Sequence, residues 1–259
     1  MAAVTSERRD EVLVIILDRP KANAIDVATS HELYAAFHQL DTDPALRVAI
    51  ITGTGRFFSA GWDLNAASAG EAVDAHHGPG GFAGLTEYFT LTKPVIAAVN
   101  GLAVGGGFEL ALAADLIVAS TNARFWLPEV QLGILPDSGG LQRLPKCLPE
   151  RLAREMILTG RKLEPAEALA HGLASRVVEP DQLLPAALEL AEAICAGAPL
   201  AIRAARDILR ATAGLEVAEG YRRLRDTSIA SYGEMLRSED ALEGPRAFAE
   251  GRSPRWQGR

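Results

Sequence analysis

Cysteine is nearly absent from this 259-residue chain, with Cys147 and Cys195 the only two. A disulfide framework or a cysteine-held zinc site needs more of them at closer spacing. Lysine is also scarce, and the 33 acidic residues outnumber the 26 basic ones for a formal net charge of −7. That balance argues against a nucleic-acid binder, which carries a basic excess. No long uninterrupted apolar run is present. The nearest, residues 94–119, is broken by Asn100, Glu109, Asp115 and several glycines, which makes it a poor membrane span. The first residues lack the cationic start and apolar core of a secretion signal, so the expected location is the cytoplasm. His31 and His38 lie seven apart on one predicted helix, and His76 and His77 lie in a polar stretch. None carries a metal-ligand signature, so solvated histidines and no metal are expected. Gly105-Gly106-Gly107 is not followed by the Lys-Ser/Thr of a phosphate-binding loop. Gly53 and Gly55 are followed by Phe58 where a dinucleotide fingerprint needs its third glycine. Ser59 and Ser138 lack a nucleophile elbow.

What is present is an ordinary globular composition, 48% hydrophobic and 23% charged. A chain of this size buries about three-quarters of its unfolded surface without covalent staples. Val12–Leu17, Val48–Thr52, Val95–Val99 and Leu116–Ala119 are predicted strands, rich in β-branched residues and bounded by turn residues. Helical spacing marks Thr29–Leu40, Phe82–Leu91 and Phe108–Ala114, and Ala66–Gly81 reads as a mobile loop. The alternation predicts an α/β fold. From about Pro149 to residue 232 the pattern is almost wholly helical. The expected organisation is an α/β core over residues 1–190 and a helical C-terminal region over 191–259. The surplus apolar faces of that region suggest packing on another subunit.

The strongest local feature is Gly105-Gly106-Gly107-Phe108-Glu109. Glycines between a strand and a helix let the backbone approach a ligand, and the helix start offers unpaired N–H groups to an oxyanion. A simple glycine hinge would explain the same spacing. Glu109 stands where the helix dipole alone favours a carboxylate. Glu129, after Leu127-Pro128, suits a turn or helix start. Together the two could divide acid and base roles around one water. Asp137, in Pro136-Asp137-Ser138-Gly139, is a third candidate and equally a cap for the helix that follows.

Phe58-Ser59-Ala60-Gly61-Trp62-Asp63-Leu64, Lys93 through Gly101, Gly105 through Leu110, and Leu127-Pro128-Glu129 through Gly140 stand in order along the chain. Together they resemble the crotonase, or enoyl-CoA hydratase/isomerase, superfamily. The resemblance implies a spiral of repeated ββα units with a helical C-terminal trimerisation region, assembled as a homotrimer or as a hexamer of two trimers. It implies an acyl-CoA thioester substrate and no separate cofactor, coenzyme A being part of the substrate. It places the oxyanion hole at the backbone N–H groups of Trp62 and Gly106, the catalytic pair at Glu109 and Glu129, and coenzyme A binding at Lys21, Ala60, Asp63 and Leu64. Residues 18–26, 78–87 and 238–245 resemble a branch acting on an acyl group that bears a trimethylammonium. Such a group favours an aromatic face or a carboxylate. Trp62, Phe82, Tyr88 and Trp126 are candidates for the first and Asp137 for the second, with Trp62 and Asp137 the expected acyl-pocket residues. A general short-chain enoyl-CoA hydratase shares every catalytic residue. An enoyl-CoA isomerase would need only one carboxylate. Some relatives bind RNA, which the acidic balance disfavours.

Overall fold

The β-branched runs become a parallel sheet. In the computed structural model, which describes residues 2–226 and 228–259, strands β1 (Val4–Arg9) and β2 (Val12–Leu17) lead to β3 (Ala24–Ile25) and helix α1 (Val27–Thr42). Then follow β4 (Val48–Gly53), β5 (Phe57–Ser59), β6 (Gly61–Trp62) and α2 (Leu64–Ser68). The next turns are β7 (Val95–Val99), β8 (Leu102–Val104) and α3 (Gly106–Ala113), then β9 (Leu116–Ser120), β10 (Arg124–Trp126) and α4 (Gly140–Cys147). Helices α5 (Glu150–Thr159) and α6 (Pro165–Ala170) precede β11 (Arg176–Val178). Helices α7 (Leu183–Cys195), α8 (Pro199–Thr212), α9 (Val217–Arg225), α10 (Ala230–Leu236) and α11 (Glu239–Glu250) follow.

The large sheet has the order β1-β2-β4-β7-β9-β11. Only β1 and β2 are antiparallel. The short strands β5, β8 and β10 form a parallel sheet of their own, and β3 pairs with β6. Each of four turns therefore lays one strand in the large sheet, then a short strand outside it (two, β5 and β6, in the second turn), then a helix. This is the α/β spiral of repeated ββα units. Every residue of β7 is buried, as are Val48 through Ile51 of β4, as expected of strands covered on both faces.

Side-chain amides satisfy the backbone at the crossovers. Asn23 Nδ2 donates to the carbonyls of Thr54 and Phe57 at 3.0 and 2.9 Å. Asn100 accepts from Gly53 N–H at 3.1 Å and donates to the Gly55 carbonyl at 3.0 Å. Buried backbone groups that found no such partner would destabilise the turns that carry β5 and β6.

Three expectations need correction. Phe82–Leu91 is not a helix: a short 3₁₀ turn spans Phe82–Gly84 and turns continue to Leu91. Gly84 has φ +66°, and a Cβ there would lie 2.2 Å from the Tyr34 nitrogen, so the backbone is pressed against α1 in a conformation no helix continues. The region after Pro149 is not purely helical, because Arg176–Val178 forms the last strand of the large sheet. Three residues are too few to show a period. His77 is not solvated but buried, as described below.

The chain divides into two compact units, one made of residues up to Leu91 with Val95–Ala191, the other of Thr92–Pro94 with Glu192–Arg259. In the second, the Asp240 carboxylate accepts from the N–H groups of Gln257 and Gly258 at 2.7 and 2.8 Å, and Arg252 pairs with Glu243 at 2.6 Å. No single helix among the described residues is long and apolar enough to cross a membrane.

Candidate active site

Helix α3 is buried along almost its whole length and carries one charged residue, Glu109. Gly105, at φ +55°, turns the chain from β8 into the helix. Glu109 is only 3% exposed. Its Oε1 accepts a hydrogen bond from the Gly140 N–H at 2.8 Å, the first residue of α4. Helix α4 has no side-chain cap from its own approach, so Asp137 does not serve as one; Glu109 reaches across from α3 instead.

Glu129 opens a 3₁₀ turn, Glu129–Leu132, and is 6% exposed. Its Oε2 is buried with no hydrogen-bond partner. Its Oε1 lies over the start of α3, where a Cβ on Gly105 would come within 2.7 Å. Burial raises both carboxyls well above the usual range. Glu109 is pushed up to about 8 by desolvation, opposed by the Gly140 N–H and helped by the charges of Glu129 and Asp137. Glu129 is pushed up to about 7, again chiefly by desolvation, with Asp137 adding to it. The charge of Glu129 adds to the rise at Glu109, so the two titrate as a coupled pair.

Trp62 and Gly106 line the same cavity as the two carboxyls. The β3–β6 ladder takes the Asp63 N–H into the Ile25 carbonyl at 2.9 Å. Strand alternation therefore turns the Trp62 N–H away from β3. Gly61, at φ +78°, runs so close to the start of α3 that a Cβ would lie 2.7 Å from the Gly106 nitrogen. Gly106 opens α3, so its N–H has no partner within the helix.

A cavity of roughly 320 Å³ brings Trp62, Gly106, Glu109, Glu129 and Asp137 together, five of the residues singled out from the sequence. Asp74 and Glu87 also line it, with no lysine or arginine among the lining residues. Of the four aromatic candidates, Trp62 and Phe82 line it. Tyr88 instead donates to Asp41, and Trp126 faces the Lys162 ammonium at 4.3 Å. His77 lines the cavity too, its Nδ1 bonded to the Ser30 hydroxyl at 2.8 Å and its ring set edge-on to Phe82. Burial lowers its pKa, which favours the neutral ring.

The four residues expected to hold coenzyme A lie outside this lining. Lys21 is exposed in the turn between β2 and β3. Ala60 N–H is bonded to the Ala22 carbonyl at 2.9 Å. The Asp63 carboxylate pairs with Arg19 at 2.7 Å and caps α2 through the Asn65 N–H. Leu64 is exposed.

Sequence reasoning passed over Glu71. Its Oε1 accepts from the Trp62 indole N–H at 2.7 Å and its Oε2 from the Val27 N–H at 3.1 Å. Nothing in the polar stretch around it marks it out.

The sequence profile of the family described as enoyl-CoA hydratase/isomerase matches residues 7–259. Carnitinyl-CoA dehydratase of Proteus mirabilis (strain HI4320) is 61% identical over 252 residues, 97% of each chain. Carnitinyl-CoA dehydratase of Salmonella typhi is 59% identical over 253 residues, again 97% of each. Among solved structures, an enoyl-CoA hydratase from Mycobacterium tuberculosis H37Rv superposes with a TM-score of 0.91 at 43% identity, covering 100% of both chains.

Proposed function

We propose that this chain, which belongs to the enoyl-CoA hydratase/isomerase family and is an enzyme of the hydro-lyase class, reversibly hydrates crotonobetainyl-CoA to carnitinyl-CoA. The observation that carries the chemistry is the burial of Glu109 and Glu129 in one cavity with Gly106 and Trp62. The thioester oxygen accepts from the N–H groups of Trp62 and Gly106, so charge developing on it meets donors already in place. One such donor is worth about 2.7–4 kcal/mol. In hydration Glu109 holds the water and takes its proton as the oxygen attacks the β carbon, and Glu129 delivers a proton to the α carbon. In dehydration the roles reverse. The reaction balances with water alone, so no cofactor is invoked, coenzyme A being the handle of the substrate. Coenzyme A binding is assigned to the backbone around Ala60, Asp63 and Leu64, with Lys21 available to a phosphate.

The acyl group rests on two supports. Relatives at 59–61% identity over nearly the whole chain bear the carnitinyl-CoA dehydratase name. The cavity is lined by carboxylates without a fixed cation, which suits a quaternary ammonium. The helices after residue 190 are assigned to a homotrimer or a pair of trimers.

The test is loss of enoyl-thioester absorbance with crotonobetainyl-CoA and with crotonyl-CoA, with Glu109→Ala and Glu129→Ala as controls. A strong preference for the first substrate, lost in both variants, is expected. Equal or better turnover of crotonyl-CoA would make the enzyme a general short-chain hydratase. Full turnover in Glu129→Ala would overturn the two-carboxylate mechanism in favour of a one-carboxylate isomerase.

A further inference from the structure

The cavity has one wall whose aromatic side chain is held from behind. Trp62 lies on β6, and its indole N–H donates to Glu71 Oε1 at 2.7 Å. The other oxygen of Glu71 accepts from Val27 N–H, the first residue of α1, at 3.1 Å. Both partners are donors, so a carboxylate can satisfy both and an amide only one. Six positions later His77 is tied to Ser30, also on α1. The intervening residues Val73 through His76 line the cavity. The segment is therefore fastened at both ends to the same helix, and the Trp62 ring is set by one of the fastenings.

We propose that Glu71 is a specificity-determining positioning residue: by engaging the Trp62 indole and the α1 N-terminus together, it holds the indole face as the seat of the cationic end of the acyl group. This rests on the cationic acyl group proposed above. Trp is the best of the aromatic rings for a cation, because its face carries the most negative potential. An indole whose N–H is bonded to a carboxylate cannot swing that edge into the cavity, and the anion behind it adds to the attraction. Phe82, the other aromatic of the lining, is packed over Gly106, where a Cβ would meet its ring at 2.4 Å, and has no such anchor.

The test separates charge from shape. Crotonobetainyl-CoA is compared with its carbon isostere, 5,5-dimethylhex-2-enoyl-CoA, in the wild type, Glu71→Gln and Glu71→Ala. The readout is the ratio of kcat/KM for the two thioesters. The wild type favours the cationic one. The ratio is expected to fall about tenfold in Glu71→Ala and about threefold in Glu71→Gln, mainly through a higher KM for the cationic substrate, as loss of a binding contact requires. A graded loss in this order supports the proposal, because general loosening of the fold would depress both substrates alike. A ratio within about twofold of wild type in both variants overturns the role of Glu71 and leaves the substrate reading intact. A wild-type enzyme that does not distinguish the two thioesters overturns the substrate reading, and this inference with it.

Discussion

Glu109 and Glu129 are harder to ionise in the folded chain than in the unfolded one, and burial is the main cause in both. The proposed mechanism needs one proton on the two carboxyls. The kcat/KM profile should therefore be a bell with limbs near about 7 and about 8, measurable with a saturable thioester assay. Glu109→Gln and Glu129→Gln should each lower kcat by about 10²–10⁴. The same shifts have a stability sign. A carboxyl whose folded pKa is raised favours folding in its protonated form. That contribution is complete below the unfolded value of 4.5 and is lost as pH rises through about 7 and about 8. Thermal melts should thus show Glu109→Gln and Glu129→Gln melting above the wild type at pH ~9, with the gap closing toward pH ~5. That both glutamates belong to one cavity was foreshadowed in the sequence, where Glu109 follows a glycine triplet, Glu129 follows Leu127-Pro128, and the resemblance pairs them. Glu71 was not. Its partners lie 9 and 44 positions away, and only folding brings them to one carboxylate.

At the scale of elements, the site depends on how closely β6 approaches α3. Gly61 stands at φ +78° with its α carbon facing the Val104 carbonyl and the Gly106 nitrogen. A methyl group there is strained in backbone and space at once, and β6 must retreat from α3. Gly61→Ala should lower stability by about 2–4 kcal/mol, read from urea midpoints, and lower kcat even where the variant folds. The apolar strands were plain in the sequence because burial on both faces writes an unbroken hydrophobic run, as in Val95–Val99. The turns from Phe82 to Leu91 were not, since their apolar residues repeat at helical spacing while Gly81 and Gly84 take positive φ. Strand β1 was missed for a different reason: it is a polar, exposed edge strand whose place is set by pairing with β2.

For the whole molecule, the C-terminal helices leave Leu209, Val217, Tyr221, Leu236 and Leu242 exposed, with Phe248 at 90%. Helices assigned to subunit contacts should cover such residues. Light scattering should then report a mass of three or six protomers, and Phe248→Asp should shift the population toward smaller species. The large sheet has a further consequence. Apart from the interposed short strands, its members are placed side by side in the order in which they occur along the chain. No strand has to be inserted between two already paired. A polypeptide leaving the ribosome can add each new strand to the edge left by the last, even though most of these pairings join residues well apart in the chain. The two carboxylates arrive on successive turns, Glu109 after β8 and Glu129 after β10. Protease resistance should spread from β2 toward β9 in ribosome-bound chains of increasing length.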